Sequence, residues 1–488
     1  MIAWLVLLVF ILWIVWFRVN RRRMYELAAA IPASKETLPV IGIAHRLVGS
    51  TEAIMTSLQR YSYESMQHDG IIKGWLGHKL YFVLVDPVDL EVVLKTCMEK
   101  DDLHRFIRKI VGCGSIYAPV PIWSRRRKIL VPAFSPKIVD TFVYVFAEQS
   151  EKMVQHLLHK VGTGKFASWP FLSTYTLDSV CQTTMGVNIN AQGDSESPFL
   201  NAMCRILNLV CEKIFHLWLQ PDWLYKLYPR YRQHQKSISV MHDFTDEVIF
   251  LKRKIKPEAK LKYDLGMYTN QTFLDILIKL SGGEKGYTNI ELREEILTMI
   301  VAGTDTSAVS TRYTLKLLGK YPLCEVFGDS NRPLVKEDLT QMKYLERVIK
   351  ESLRLYPPVP FIIRKVLEEI TLRKFQNTMQ KSYRRDKGAH RDPKYWGPDA
   401  EHFDPDRFLP ERFNIVNPCS FMPFNNGPRN CVGYQYALMS IKAALSAILR
   451  QYKVIDDVEN SPKPHFRVKL DIMMKAVDGY EIALERRT

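Results

Sequence analysis

Phe424-Asn425-Asn426-Gly427-Pro428-Arg429-Asn430-Cys431-Val432-Gly433 is the most informative stretch of this 488-residue chain. Downstream, Leu438, Ile441, Leu445 and Ile448 recur at helical spacing, so a helix is expected directly after the loop. That spacing places Cys431 at a helix N-terminus, where the positive dipole end and free backbone N–H groups stabilise a thiolate. Gly427 and Gly433 let the backbone pass close to a flat ligand, and Arg429 can pair with a carboxylate. A lone buried cysteine is usually an inert small hydrophobe. The residues around Cys431 argue for chemistry instead.

Upstream, Thr288-Asn289-Ile290-Glu291 is a capping box that starts a helix. Leu292, Ile296, Met299, Ile300 and Gly303 then share one face, and the pattern runs to about Lys320. So long a helix reads as the central rod of the fold. Its middle carries Ala302-Gly303-Thr304-Asp305-Thr306-Ser307. A glycine there costs roughly 1 kcal/mol relative to alanine, and the hydroxyls compete for backbone carbonyls. The segment is either a structural kink or a groove opened for a small ligand, with Gly303 and Thr306 on one face. Glu351-Ser352-Leu353-Arg354 pairs opposite charges at i, i+3 just before Tyr356-Pro357-Pro358 ends that helix. Phe403-Asp404-Pro405-Asp406-Arg407-Phe408 follows. Met153 to Val161 and Leu200 to Leu209 are further amphipathic helix candidates.

The late loop matches Phe-x-x-Gly-x-Arg-x-Cys-x-Gly, and with these motifs the chain resembles the cytochrome P450 superfamily. The segment Ala389 to Phe413 and the Asn-Cys-Val-Gly loop look most like family 4 members, especially insect microsomal ones. The resemblance implies a mainly α fold with small β-sheets, the cytochrome P450 fold. It implies haem b, with the iron bound by Cys431 as axial thiolate; such a ligand pushes electron density to the iron and favours O–O cleavage. It also implies that Phe424 and Gly433 flank the haem and that Arg429, Trp123, Arg127 and Arg364 contact its propionates. By the same resemblance Thr306 hydrogen-bonds dioxygen at the haem, Asp305 relays protons to it, and Glu351, Arg354 and Arg407 form a structural network beneath it. Ala302 stands where many family 4 enzymes carry a glutamate esterified to haem, so non-covalent haem is expected here.

The implied function is a monooxygenase inserting one oxygen atom of dioxygen into a lipophilic substrate: a fatty acid, hydrocarbon, hormone, odorant or xenobiotic. Electrons would come from NADPH through NADPH–cytochrome P450 reductase, with cytochrome b5 as an optional second donor. Two alternatives are a haem-thiolate isomerase or dehydratase, which Asp305-Thr306 argues against, and a non-catalytic degenerate haem-binding protein.

Composition agrees. The chain is 47% hydrophobic and 25% charged, ordinary for one large core, with no linker or repeat that would mark separate modules. Net charge is +16, without any recognisable nucleic-acid module. The eight cysteines include no Cys-x-x-Cys pair, which disfavours zinc and a disulfide framework and suits a reducing compartment. Residues 1–17 are apolar and Arg18, Arg21, Arg22 and Arg23 follow, so an uncleaved transmembrane anchor with its C-terminal side in the cytosol is expected. A basic, proline-containing linker over 18–42 and a catalytic domain over 43–488 complete the expected organisation, on the endoplasmic reticulum membrane. The aromatic run Phe215 to Tyr228 is either core packing or an apolar flap touching the bilayer. Arg125, Arg126 and Lys128 read as a solvated face, able to dock an acidic electron-donor protein.

Two places depart from the family pattern. Leu323-Cys324-Glu325 runs straight into Val326-Phe327-Gly328 where further helical turns belong. Arg373 to Gly388 replaces two short apolar strands with a basic stretch that reads as loop. Altered splicing or a gene-prediction error at one or both is expected, which full-length transcript sequencing tests.

Overall fold

The central rod is a helix spanning Asn289–Lys320. It starts at the expected capping box: the Thr288 N–H donates to Glu291 Oε2 at 3.0 Å, and the Glu291 N–H donates to Thr288 Oγ1 at 3.2 Å. Leu292, Ile296 and Ile300 are fully buried along one face. Helices Trp169–Val180, Tyr434–Gln451, Tyr231–Lys254 and Lys343–Leu355 pack around the rod. Burying a side chain of leucine size contributes roughly 1.5–3 kcal/mol, so this bundle carries most of the stability. The computed structural model describes residues 2–193, 197–254, 272–281, 286–320, 332–373, 383–385, 388–413, 417–455, 466–479 and 481–487.

Among these residues the β structure is small. One sheet orders Ile71–Leu76, Lys79–Leu84, Tyr383–Arg385 and Ile362–Arg364. A second orders Phe166–Ala167, Glu481–Arg486 and Tyr452–Ile455, and Val468–Asp471 pairs with Met473–Ala476 as a hairpin. Tyr383–Arg385 corrects the reading of Arg373 to Gly388 as loop throughout. This strand runs parallel to Phe82–Leu84 and antiparallel to Ile362–Arg364. Strand pairing here comes from backbone ladders supplied by distant segments, which override weak local propensity. The other departure, Leu323 to Gly328, lies outside the described residues.

One further expectation changes. Arg126 is not on a solvated face: it is 2% exposed. Its guanidinium meets Glu295 at 2.9 Å, Glu291 at 3.2 Å and Glu294 at 3.5 Å. Ser115 Oγ donates to the same Glu295 carboxylate at 2.8 Å. Arg125 stays largely exposed and pairs with Glu291 at 3.3 Å. The stretch 18–42, expected as a basic, proline-containing linker, packs on the residues that follow it. Its helix Arg22–Ala29 buries Met24, Leu27 and Ala28, Ile31 is 1% exposed, and Lys73 Nζ donates to the Ala28 carbonyl at 2.6 Å.

The apolar start forms a helix, Ile2–Val19. Among the described residues no single helix is long and apolar enough to cross a membrane; Trp4–Val19 with Arg22–Ala29 passes only as a pair bent by 53°. The aromatic run divides between both of its readings. Leu219 and Tyr225 are buried, whereas Trp218, Trp223 and Leu227 are exposed.

Candidate functional site

The 424–433 loop ends in helix Tyr434–Gln451, whose N-cap is Gly433. Cys431 thus lies two residues outside the cap. Its backbone N–H donates to the Phe424 carbonyl at 2.9 Å, closing the loop on itself. The Cys431 side chain opens onto a cavity of about 380 Å³. Burial pushes its thiol up, while the Gly433 backbone N–H and the Arg127 guanidinium pull it down. Both opposing groups favour the thiolate, the form that binds metal.

Gly427 serves a different neighbour from the one expected. Its φ is +75°, and a Cβ there would stand 2.5 Å from the Leu94 carbonyl oxygen. It permits close approach of protein backbone, not of a flat ligand. A Cβ on Gly433 would meet nothing nearer than 4.0 Å, and Gly433 lines the cavity with Phe424.

The middle of the long helix lines the same cavity, through Met299, Ala302, Gly303, Thr306 and Ser307. Thr306 Oγ1 donates to the Ala302 carbonyl at 2.6 Å. Ser307, which sequence reasoning did not single out, keeps a buried hydroxyl without a hydrogen-bond partner. Gly303 is needed for packing as well: a Cβ would lie 2.7 Å from Val180 Cγ2 on the crossing helix. Asp305 is absent from the wall. It is fully buried and pairs with Lys475 Nζ at 3.1 Å.

One end of the cavity is crowded with cations. Arg429 is 8% exposed; its Nη2 donates to the Ala118 carbonyl at 2.9 Å and its plane lies 4.5 Å from the Trp123 ring centroid. Its Nε and Nη1 are buried with no partner. Burial pushes this guanidinium down to about 10, with Glu99 opposing the fall and Arg108 adding to it. Arg364, 1% exposed, and Lys100 face each other across a β-bridge, and both line the cavity. Burial first, then Arg364 and Arg429, hold the Lys100 ammonium well below its ordinary value. The neighbouring His104 falls to about 3, through burial and then Lys100. Lys100 hides in the sequence because Glu99-Lys100-Asp101-Asp102 reads as a charged surface run. Arg127, although on the wall, spends its guanidinium on Asn430, donating to that carbonyl at 2.9 Å.

The Arg429 Nε and Nη1 donors are buried without an acceptor, which is costly. A ligand bringing two carboxylates to this end, with a flat body reaching Gly433 and a metal within reach of Cys431, would satisfy them. The residues therefore fit iron protoporphyrin.

Behind the loop, Arg354 donates to Glu351 at 2.6 Å, and both are fully buried. Its remaining donors reach the carbonyls of His390, Ala400 and His402 at 2.6–3.0 Å. Arg407 approaches Glu351 at 3.6 Å and donates to the Trp396 carbonyl at 2.8 Å. The three residues expected to form a network do meet.

The profile described as "Cytochrome P450" matches residues 32–480. Mouse "Cytochrome P450 4V2" is 31% identical over 491 residues, covering 96% of this chain and 92% of that protein. Drosophila melanogaster "Cytochrome P450 4c3" is 34% identical over 440 residues, 82% of each chain. The crystal structure of a cytochrome P450 called CYP102L1 superposes with a TM-score of 0.75 at 22% identity, over 94% of this chain and 99% of its own, which confirms the fold. The chain belongs to the cytochrome P450 family, and its relatives of the fourth family include insect members. It is therefore an oxidoreductase, a haem-thiolate monooxygenase whose iron protoporphyrin receives electrons from a reductase and whose substrates are lipophilic.

Proposed function

We propose that Cys431 is the iron ligand of a membrane-attached monooxygenase and that Thr306 and Asp305 serve its oxygen chemistry. The observation carrying this reading is one cavity lined by Cys431, Thr306 and Arg429, whose Nε and Nη1 have no partner. Bound there, haem supplies the activation of dioxygen. Arg429, Arg364 and Trp123 hold the propionate edge, with Lys100 as a further cation; Arg127 fixes the Asn430 carbonyl beside the ligand loop. Phe424 and Gly433 border the ring. Thr306 presents a hydroxyl that hands on a proton, and Asp305 takes that proton from the solvent side. Glu351, Arg354 and Arg407 are structural.

The substrate is a fatty acid, hydrocarbon, hormone, odorant or xenobiotic entering through apolar surroundings. A second cavity of about 420 Å³ shares Leu103, Ile214, Phe215 and Ile363 with the first and opens between the first hairpin and the aromatic run. Leu217 of this lining is exposed, as are Trp218, Trp223 and Leu227 of the same aromatic run, which suits contact with lipid. The bent pair at the N-terminus adds an anchor. The domain 43–488 then faces the cytosol on the endoplasmic reticulum, reduced by NADPH–cytochrome P450 reductase, with cytochrome b5 as an optional donor.

The test is the carbon monoxide difference spectrum of the reduced, purified protein, followed by NADPH consumption with added reductase. A thiolate-type Soret band and reductase-dependent oxidation are expected; product formed without reductase would defeat the reading. Thr306→Ala is expected to retain haem and the carbon monoxide spectrum while product formation falls roughly 10- to 100-fold. Electron consumption should persist as peroxide, read by stoichiometry.

A further inference from the structure

Lys475 lies on the C-terminal hairpin, and its ammonium is buried against helix Pro198–Phe215, the long helix and Trp169. Its Nζ stands 3.1 Å from Asp305 Oδ1, 3.8 Å from Cys204 Sγ and 5.0 Å from the Trp169 ring centroid. Burial works against the ammonium, but Asp305 outweighs it and the group is pushed up. Two other charged groups border this pocket: Arg312 lies 5.0 Å from the same Trp169 ring centroid, and Asp471 adds to the rise of Lys475. Arg312 donates to the Gly479 carbonyl at 2.7 Å, and Asp471 accepts from Asn208 at 3.0 Å. Lys475 is thus a buried cation in direct contact with the Asp305 carboxylate.

The same hairpin reaches the cavity. Leu470, Ile472 and Met473 line it. Ile472 forms the turn with φ of +61°, a left-handed conformation that a β-branched residue adopts only under tertiary constraint. Cys211 Sγ donates to the Leu470 carbonyl at 2.7 Å. Three residues after the turn, Lys475 meets the carboxylate adjoining Thr306.

We propose that Lys475 is a positioning residue for proton delivery. It pairs with the Asp305 carboxylate and fixes its direction, so that the carboxylate can accept one proton and surrender it towards the Thr306 hydroxyl, ending as it began. No electrons pass through the pair. This rests on the proton-relay reading of Asp305 given above. Without the ammonium, a buried carboxylate becomes neutral at ordinary pH rather than remain an unpaired charge.

The experiment compares full-length, haem-loaded wild type with Lys475→Met, Lys475→Arg, Asp305→Asn and the double variant Lys475→Met/Asp305→Asn, which contains no lone charge. Infrared spectra at pH 7 should show a protonated-carboxyl band in Lys475→Met that is absent from wild type, Lys475→Arg and the double variant. The peroxide-to-product ratio should rise about tenfold in Lys475→Met, recede as pH rises and Asp305 ionises, and return towards wild type in Lys475→Arg. Absence of the band in Lys475→Met overturns the assignment, as does an unchanged ratio while Asp305→Asn raises it. If Asp305→Asn leaves the ratio untouched, the relay role of Asp305 fails, and the infrared comparison still decides whether Lys475 sets its charge.

Discussion

Cys431→His is expected to fold, to bind haem and to lose monooxygenation by about 10³-fold or more, a loss of ~4 kcal/mol of transition-state stabilisation. The fold is expected to survive because the Cys431 side chain lines the cavity. The loop is closed by backbone, through the Cys431 N–H to the Phe424 carbonyl and the Asn430 N–H to the Gly427 carbonyl at 3.0 Å. What disappears is the electron donation that a thiolate makes and an imidazole does not. The carbon monoxide complex reports the change directly, since its Soret band moves from the thiolate to the imidazole position. Far-ultraviolet circular dichroism checks the fold independently. Normal hydroxylation by this variant would end the assignment of Cys431.

Arg354→Leu is expected to be the most damaging structural substitution. It leaves Glu351 fully buried with the Asp404 N–H at 2.9 Å and Arg407 at 3.6 Å as its remaining partners. Removing one member of a buried pair costs about 3–5 kcal/mol. The carbonyls of His390, Ala400 and His402 lose their donor as well. Against a total stability of about 5–15 kcal/mol, the protein should be recovered haem-poor or aggregated. Arg354→Lys should not rescue it, because one ammonium cannot reproduce the planar fork. Urea midpoints and haem content measure the effect. As a control, the pair Arg23–Glu369 at 3.0 Å is solvent-exposed, and Arg23→Ala should leave the midpoint unchanged. Equal midpoints for Arg354→Leu and wild type would remove the network's structural role.

Much of the site was legible because its signals are local. The capping box, the apolar face of Asn289–Lys320 and the loop ahead of helix Tyr434–Gln451 each depend on residues within one or two turns, and each forms as expected. The Glu351–Arg354 spacing likewise brings two side chains to one helical face, though it does not reveal that both are buried.

Burial of charge is decided by what arrives from elsewhere in the chain. Arg126 reads as solvated beside Arg125 and Arg127, yet Glu295 approaches it from a helix that follows far later in the chain. Lys100 sits in a charged run and becomes a cavity wall only when Arg364 bridges to it. Gly427 looked like room for a ligand, and Leu94 takes that room. Tyr383–Arg385 carries no alternating pattern and becomes a strand because Lys79–Leu84 and Ile362–Arg364 offer it unpaired backbone on both sides. By itself the amino-acid order determined the main helices and the place of the Cys431 loop ahead of one of them, since periodicity and capping act over a few residues; the class of chemistry came from the resemblance of that loop to the family signature. Tertiary structure alone decided which charged side chains are buried and which strand completes the sheet, because desolvation and ladder pairing are properties of contacts between segments remote in sequence.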